Sequence, residues 1–564
     1  MMKHPIRFLA IALAFAGCSD DGESGGADAG TDTDADGDTD VDTDTDSDTD
    51  IDADTDSDSD TDTPSVCDPP VELADVSAPD HVIDHCTNDE QLRAALAAGG
   101  VIAFDCGGEA TIPVTGATAL PNDVDTVLDG GGVITLDGGG ATRLLTVDGM
   151  WWQQTETTVT VQRITIRSFR ALGTELIPVV DPNPNNCSQG YVDGDGGALW
   201  FRDVNVRVID SSFIDNAAAE YGPDTAGGAI RLLGTSSAAI VGCRFVGNRA
   251  SNGGAVGGLF GGEVTFANNL FSGNEATGWG ANGDDTENET GCPVLENGQR
   301  QIGSGGNGGA VCFDGGDEAA ISFCGDVFEE SSAGAMGGAV FRTDNVSPAP
   351  FSVDRATFSD NASVYREEAA GGPGVLYLHR QNAEITATSF IGNSSATGCG
   401  VIQADTGDLH VLNSTFAGNE AVEGVGGAIC DFQTTEIDFC TFADNGADGG
   451  AGLFAGAIFG FGTTIDNSIL AGNSGAGGGN QETCNDVGHA GGNNLQWPEG
   501  HSACTADTAF ADPLLGALAD NGGPTLTMMP AAADELVQVG IECPGTDQTG
   551  KDRATPCTLG AVEK

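Results

Sequence analysis

Apolar residues in this chain come in short bursts. Past residue 100, runs of about four apolar or β-branched positions, such as Val101-Ile102-Ala103-Phe104, are cut by Gly, Asn and Asp. No stretch of the repeated region carries a ten-residue helical stripe, so the bursts read as strands and the breaks as turns. They also recur in register. A double glycine before an apolar pair (Gly337-Gly338-Ala339-Val340, Gly426-Gly427-Ala428-Ile429) is one fixed word, and a phenylalanine three before an asparagine is another. The second word stands at Phe213…Asn216, Phe245…Asn248, Phe271…Asn274, Phe358…Asn361, Phe390…Asn393, Phe416…Asn419 and Phe442…Asn445. Degenerate copies fall at Phe328…Ser331 and Leu470…Asn473. Within each group successive asparagines lie 32 or 26 residues apart.

A period of that size means a stacked array. A coil of short strands cannot bury its inner face alone, so neighbouring coils must stack in parallel about 4.8 Å apart. The phenylalanines then pile into one aromatic column. Asn216, Asn248, Asn274, Asn361, Asn393, Asn419 and Asn445 form a ladder that bonds the backbone above and below. Glycine pairs suit corners that need positive φ. The expected fold is all-β, a single-stranded right-handed parallel β-helix, with residues 101–475 forming about twelve coils and a rod of about 60 Å.

The two recurring words, over roughly residues 190–475, resemble the repeats of polymorphic outer-membrane proteins, and more broadly the pectin-lyase-like β-helix superfamily. That resemblance implies either surface display or carbohydrate-active chemistry. Toward the C-terminus, Asp512-Pro-Leu-Leu-Gly-Ala-Leu-Ala-Asp-Asn-Gly-Gly-Pro-Thr525, Cys543–Arg553 and Leu559-Gly-Ala-Val-Glu563 are similar to the choice-of-anchor Q region of bacterial surface β-helix proteins. The family's Ser-Pro-Ala-Ile-Asp-Ala-Gly segment is replaced here by Ala532–Val539, and its final tyrosine by Val562.

The ends extend this picture. Residues 1–18 read as a signal: Lys3 and Arg7, a short apolar core, then Ala16-Gly17-Cys18. Small residues before a cysteine resemble a lipoprotein signal, which implies acylation of Cys18. Ser19 after it implies sorting to the outer membrane and the cell surface. Residues 19–66 are a disordered acidic stalk, with aspartate at every even position from 32 to 62. Nothing there supplies a core and the like charges repel. Asp32-x-Asp34-x-Asp36-Gly37 begins like a calcium loop but has Thr43 at its twelfth position. Weak Ca2+ binding by the stalk is therefore the expectation, with no structural metal site and no other cofactor. Residues 67–100 form an N-terminal cap, whose helix is capped by Thr87 or Asn88, carries Leu92, Ala95 and Leu96 inward and stops at Gly99. Residues 101–483 form the β-helix, and 484–564 a C-terminal cap. No series of alternating ten-residue strands follows residue 475, so self-export through a C-terminal barrel is not expected.

Charge and cysteines narrow the function. With 85 acidic and 20 basic residues the net charge is −65, which excludes nucleic-acid binding through a basic face. Sixteen cysteines point away from the cytosol. Nearby pairs are Cys86–Cys106, Cys312–Cys324, Cys430–Cys440, Cys484–Cys504 and Cys543–Cys557, while coil stacking equally permits Cys399 with Cys430. No CxxC, GxSxG, HExxH or phosphate-loop motif occurs. Gly303-Ser-Gly-Gly-Asn-Gly308 fits a nucleotide-loop pattern but reads as a corner. Arg202, Arg231, Arg342 and His379-Arg380 follow double-glycine regions and are expected as ion-pair partners. Two insertions, residues 172–195 with Asp181, Tyr191 and Asp193, and residues 275–306 with Trp279, Asp284 and Asp285, are candidate binding loops on a rigid scaffold. The expectation is a monomeric, lipid-anchored surface rod. It binds polysaccharide or surface proteins without catalysis. The alternative is a surface-anchored polysaccharide lyase or glycoside hydrolase.

Overall fold

The computed structural model describes residues 65–149, 155–175, 190–191, 193–281, 304–315, 320–344, 346–364, 372–448, 455–475, 482–485 and 488–564. The signal with Cys18, the acidic stalk up to residue 64, and Asp181, Asp284 and Asp285 lie outside them.

The chain winds into a parallel β-solenoid. In one coil, Ile230–Leu233 lies on face 1, Ser237–Val241 on face 2, Arg244–Val246 on face 3 and Arg249–Ala250 on face 4. Among the described residues faces 2 and 3 are arms of one 26-stranded sheet, face 1 has 11 strands and face 4 has 8. The paired strands of successive coils run parallel in strict register, as in Phe213↔Phe245 and Phe245↔Phe271. Face 1 therefore counts eleven coils, one fewer than the repeat length suggests. The difference lies in the insertions: one coil-to-coil step, from Asn269 to Asp326, consumes 57 residues instead of the usual 26 to 32.

Phe213, Phe245, Phe271, Phe328, Phe358, Phe390, Phe416 and Phe442 stack with centroid spacings of 4.6–5.0 Å. Leu470 takes the ninth place, in register with Phe442. Beside them runs the asparagine ladder. Within each run the backbone N–H and Nδ2 donate to Oδ1 of the next asparagine, as from Asn393 to Asn419. Nδ2 also donates to a carbonyl one coil back, a phenylalanine's in every case but Asn216, which reaches Ile166 O. The ladder covers Asn216 to Asn274 and Asn361 to Asn473. Ser331 stands between the two parts and donates its hydroxyl within its own coil, to Glu329 O. Ser331→Asn is expected to join them and to raise stability by about 1–2 kcal/mol, read from the urea midpoint.

The residue before each asparagine is Asp or Gly, and wherever it is Asp the next coil has Gly for a steric reason. Asp215, Asp360 and Asp444 adopt φ of +53° to +55°, and each carboxylate leans over the glycine of the next coil. A side chain at Gly247, Gly392 or Gly472 would meet that carboxylate.

A second ladder lines the corner between faces 2 and 3. Its members stand two residues before each phenylalanine: Ser211, Cys243, Asn269, Asp326, Ala356, Thr388, Ser414 and Cys440, continued by Ser468 and Asn494. Asn269 Oδ1 accepts from Cys243 N–H and Ser414 Oγ accepts from Thr388 N–H. Asn494 Oδ1 accepts from Ser468 N–H. Buried backbone N–H groups at the bend thereby find partners.

At the N-terminal end the helix Glu90–Ala98 buries Leu92, Ala95 and Leu96 over the first coil. Asn88 Oδ1 accepts from Glu90 N–H, and Gly99 ends the helix at φ +75°. At the other end Leu495–Trp497 and Ala509–Phe510 make the last pairings. Residues beyond 511 then turn back along the outside of the rod: Ala532, Val537 and Leu559 pack on Ile469, Ala471 and Leu495.

Five disulfides occur among the described residues: Cys86–Cys106, Cys484–Cys504, Cys543–Cys557, Cys399–Cys430 and Cys67–Cys324. The pairs Cys312–Cys324 and Cys430–Cys440 expected from proximity do not form. Within one coil, residues ten apart lie on different faces, whereas residues one coil apart are neighbours. Cys312 and Cys440 remain buried thiols.

Candidate binding groove

The corner between faces 2 and 3 places one left-handed residue in each coil, including Asp210, Asn268, Arg355, Asn413 and Asn467. This conformation turns their side chains out of the rod, and the amides clasp extended backbone from both ends of the chain. Asn268 Oδ1 accepts from Val66 N–H and Cys67 N–H while its Nδ2 donates to Cys67 O. Gln162 likewise accepts from Ala74 N–H and donates to Ala74 O. Residues 65–74 thus form a strap down the outside toward the first coil. From the opposite end, Asn413 Nδ2 donates to Thr546 O, Asn467 Oδ1 accepts from Ile541 N–H, and Asn493 Nδ2 donates to Val539 O.

The Cys543–Arg553 piece is the clasp of this returning segment. Gln548 is buried and bonded to Ser389, Thr415 and Thr525. Arg553 stands 4.4 Å over the ring of Phe439 and donates to Asn413 Oδ1 and to the carbonyls of Thr558 and Gly560. Asp547 accepts from the N–H groups of Thr549, Lys551 and Glu563.

Between strap and returning segment lies a groove of about 1230 Å³. Its charged lining is Asp210, Arg244, Asp354, Arg355 and Asp547, with Asn268, Asn413, Thr357 and Thr386 between them. Arg355 donates through Nε to Asp354 Oδ2 at 2.8 Å and through Nη1 to Val66 O at 3.0 Å. Asp354 Oδ1 accepts from the Thr386 hydroxyl at 2.7 Å. Burial holds the Asp210 carboxyl above the usual range, against the pull of Arg163.

The two insertions leave the opposite corner, between faces 4 and 1, and their described parts are brought together. Tyr191 N–H donates to Tyr221 O, Gly222 N–H to Ser304 O, and Ser304 N–H to Trp279 O. Asp193 is exposed, and its carboxylate organises its own loop by accepting from Thr174 and Glu175. Of the arginines flagged in the sequence, Arg202, Arg231 and Arg342 are in ion pairs. Arg202 meets Asp148, Arg231 lies 3.5 Å from Asp195, and Arg342 points into the core 3.3 Å from Asp344. His379 pairs with Asp405 at 3.3 Å.

No protein-family model matches the chain, and no curated protein does.

The groove has no local signature in the sequence. Its outward residues are single positions 26 to 57 residues apart, and its walls come from residues near 66 and 546. The one available signal was the small, mostly polar residue two before each phenylalanine, which marks the corner.

Proposed function

We propose that the protein is a lipid-anchored surface protein that displays the solenoid as a rigid binding or adhesive rod, without catalysis. The observation that carries this reading is the state of the groove's charged groups. Arg355 is held by a carboxylate and a backbone carbonyl, and Asp547 is filled by three N–H donors. These groups build the walls, and neither is poised as a base or nucleophile. Supporting it are the repeats that resemble those of polymorphic outer-membrane proteins, the choice-of-anchor Q-like segments and the signal ending at Cys18. In this reading residues 19–66 are the stalk, which binds Ca2+ weakly and whose last two residues, Ser65 and Val66, lie against the rod. The rod works as a monomer outside the outer membrane. Its partners are polysaccharides or surface proteins.

One observation favours a second reading, a surface-anchored polysaccharide lyase or glycoside hydrolase. The groove gathers two arginines, Arg244 and Arg355, beside Asp210 and Asp354. Incubating the purified chain with acidic and neutral polysaccharides, and scoring retention and product release separately, decides between them. Retention without product is the expected result. Product release that Arg355→Ala abolishes would establish the enzyme.

The anchor has its own test. Cys18→Ser is expected to move the protein from the membrane fraction to the soluble one with its thermal unfolding unchanged. A serine variant that stays with the membrane would overturn acylation at Cys18.

A further inference from the structure

We infer that the strap delivers tension from the stalk into the middle of the rod and keeps it off the N-terminal coils; this rests on the tethering proposed above. A tether attached to a solenoid pulls on its end in the simplest arrangement. An end coil is the weakest place to pull, because each repeat contacts only its neighbours and the last one has half the interface. Here the end strand His81–Ile83 pairs on one side only, with Ile102–Phe104.

The chain does not enter there. It meets the rod at Ser65–Cys67, against the coils that hold Asn268, Cys324 and Arg355. Cys67 is bonded to Cys324 across 257 residues of sequence. Cys324 ends an interior strand, Ile321–Cys324, paired below with Val264–Ala267 and above with Phe351–Asp354. Three further contacts grip the same point: Asn268 holds both the N–H and the carbonyl of Cys67, and Arg355 holds the carbonyl of Val66. Tension arriving from upstream therefore passes from Cys67 to Cys324 and onward to the C-terminal coils. Residues 68–323 sit inside a closed covalent loop, out of the force path.

The outward row of face 2 is fitted to this course. Under the strap it reads Val241, Ala267, and Val71 packs on both, together with Ala239. Past the disulfide the same row turns polar, to Asp354 and Thr386. The apolar pair lies where Val71 packs, and the first polar positions follow where the strap is fastened.

The test is to stretch the full chain in an optical trap between a handle in the aspartate-rich segment, at Ser47→Cys, and one at Lys564. Relative to the oxidised protein, the Cys67→Ser/Cys324→Ser variant is expected to rupture first at roughly twofold lower force. That first phase should release the N-terminal coils, adding up to about 870 Å of contour for the 257-residue separation. Equal first-rupture forces in the two proteins would overturn the inference. A second measurement leaves the disulfide in place and moves the first handle to Val82→Cys, an exposed position on the end strand. Pulling there should peel the first coil at low force, and resistance equal to that from Ser47 would overturn the inference as well. The trap contains no membrane, so its outcome is independent of Cys18, whose role is read by fractionation.

Discussion

Replacing Phe390 with alanine is expected to cost about 3–5 kcal/mol, the largest loss of any single truncation in the repeats. Phe390 is fully buried, with its ring 5.0 Å from that of Phe358 and 4.7 Å from that of Phe416. The ring is held by one neighbour above and one below, in coils fixed by backbone ladders on both sides, so the cavity cannot collapse. Leucine is the informative control, because Leu470 already occupies an equivalent place at the end of the column. Phe390→Leu should cost less than about 1.5 kcal/mol. Asn393→Ala should fall between, at about 1–3 kcal/mol, since it strips the donors that reach Phe358 O and Asn419 Oδ1. Urea midpoints for the three variants give the ranking. If they kept full stability and lost only ligand retention, these residues would belong to a binding site.

That ranking could be set from the sequence because the column and the ladder repeat. Each coil writes the same residue at the same depth, so Phe213 to Phe442 announce themselves by period. The corner ladder repeats as well but changes letter at nearly every step, from Ser211 to Cys243 to Asn269 to Asp326, because several small polar groups can accept an N–H there, and at Ala356 the ladder carries no side-chain acceptor at all. A pattern defined by hydrogen-bonding capacity is hidden from a search for identical residues. The strap and the returning segment leave no periodic trace at all. Each is a single passage along the rod, and its partners, such as Asn268 for Cys67 and Asn413 for Thr546, are scattered one to a coil. The disulfides divide in the same way. In Cys86–Cys106 and Cys543–Cys557, which lie in the end segments, nearness in sequence gave the pairing. Inside the solenoid Cys430 joins Cys399, one coil away, and Cys324 joins a strap that starts at the far end of the chain.

The corner ladder also holds a group from which a strong pH dependence is expected. Asp326 is fully buried, and burial pushes its carboxyl up to about 7 from an ordinary 3.8, despite hydrogen bonds from Asn269 N–H, Asn269 Nδ2 and Cys324 N–H. The folded protein therefore binds this proton more tightly than the unfolded chain does. Its contribution to stability is full below pH 3.8, falls between about 4 and 7, and is lost above 7, a change of roughly 4 kcal/mol. Asparagine is the natural occupant of such a place. Asn269 and Asn494 stand at equivalent corners and donate Nδ2 to Ile240 O and Ile465 O, one coil back. Asp326→Asn keeps the Oδ1 that accepts from Asn269 and gives up the bond that Oδ2 accepts from Cys324 N–H, a cost of about 1 kcal/mol. It is expected to change stability little at pH 4.5 and to raise it by about 3–4 kcal/mol at pH 8. Urea unfolding of both proteins at the two pH values reads the difference directly. A gain that is the same at pH 4.5 and pH 8 would mean that Asp326 does not hold its proton in the folded rod, and that the charge is already accommodated by the three donors around it.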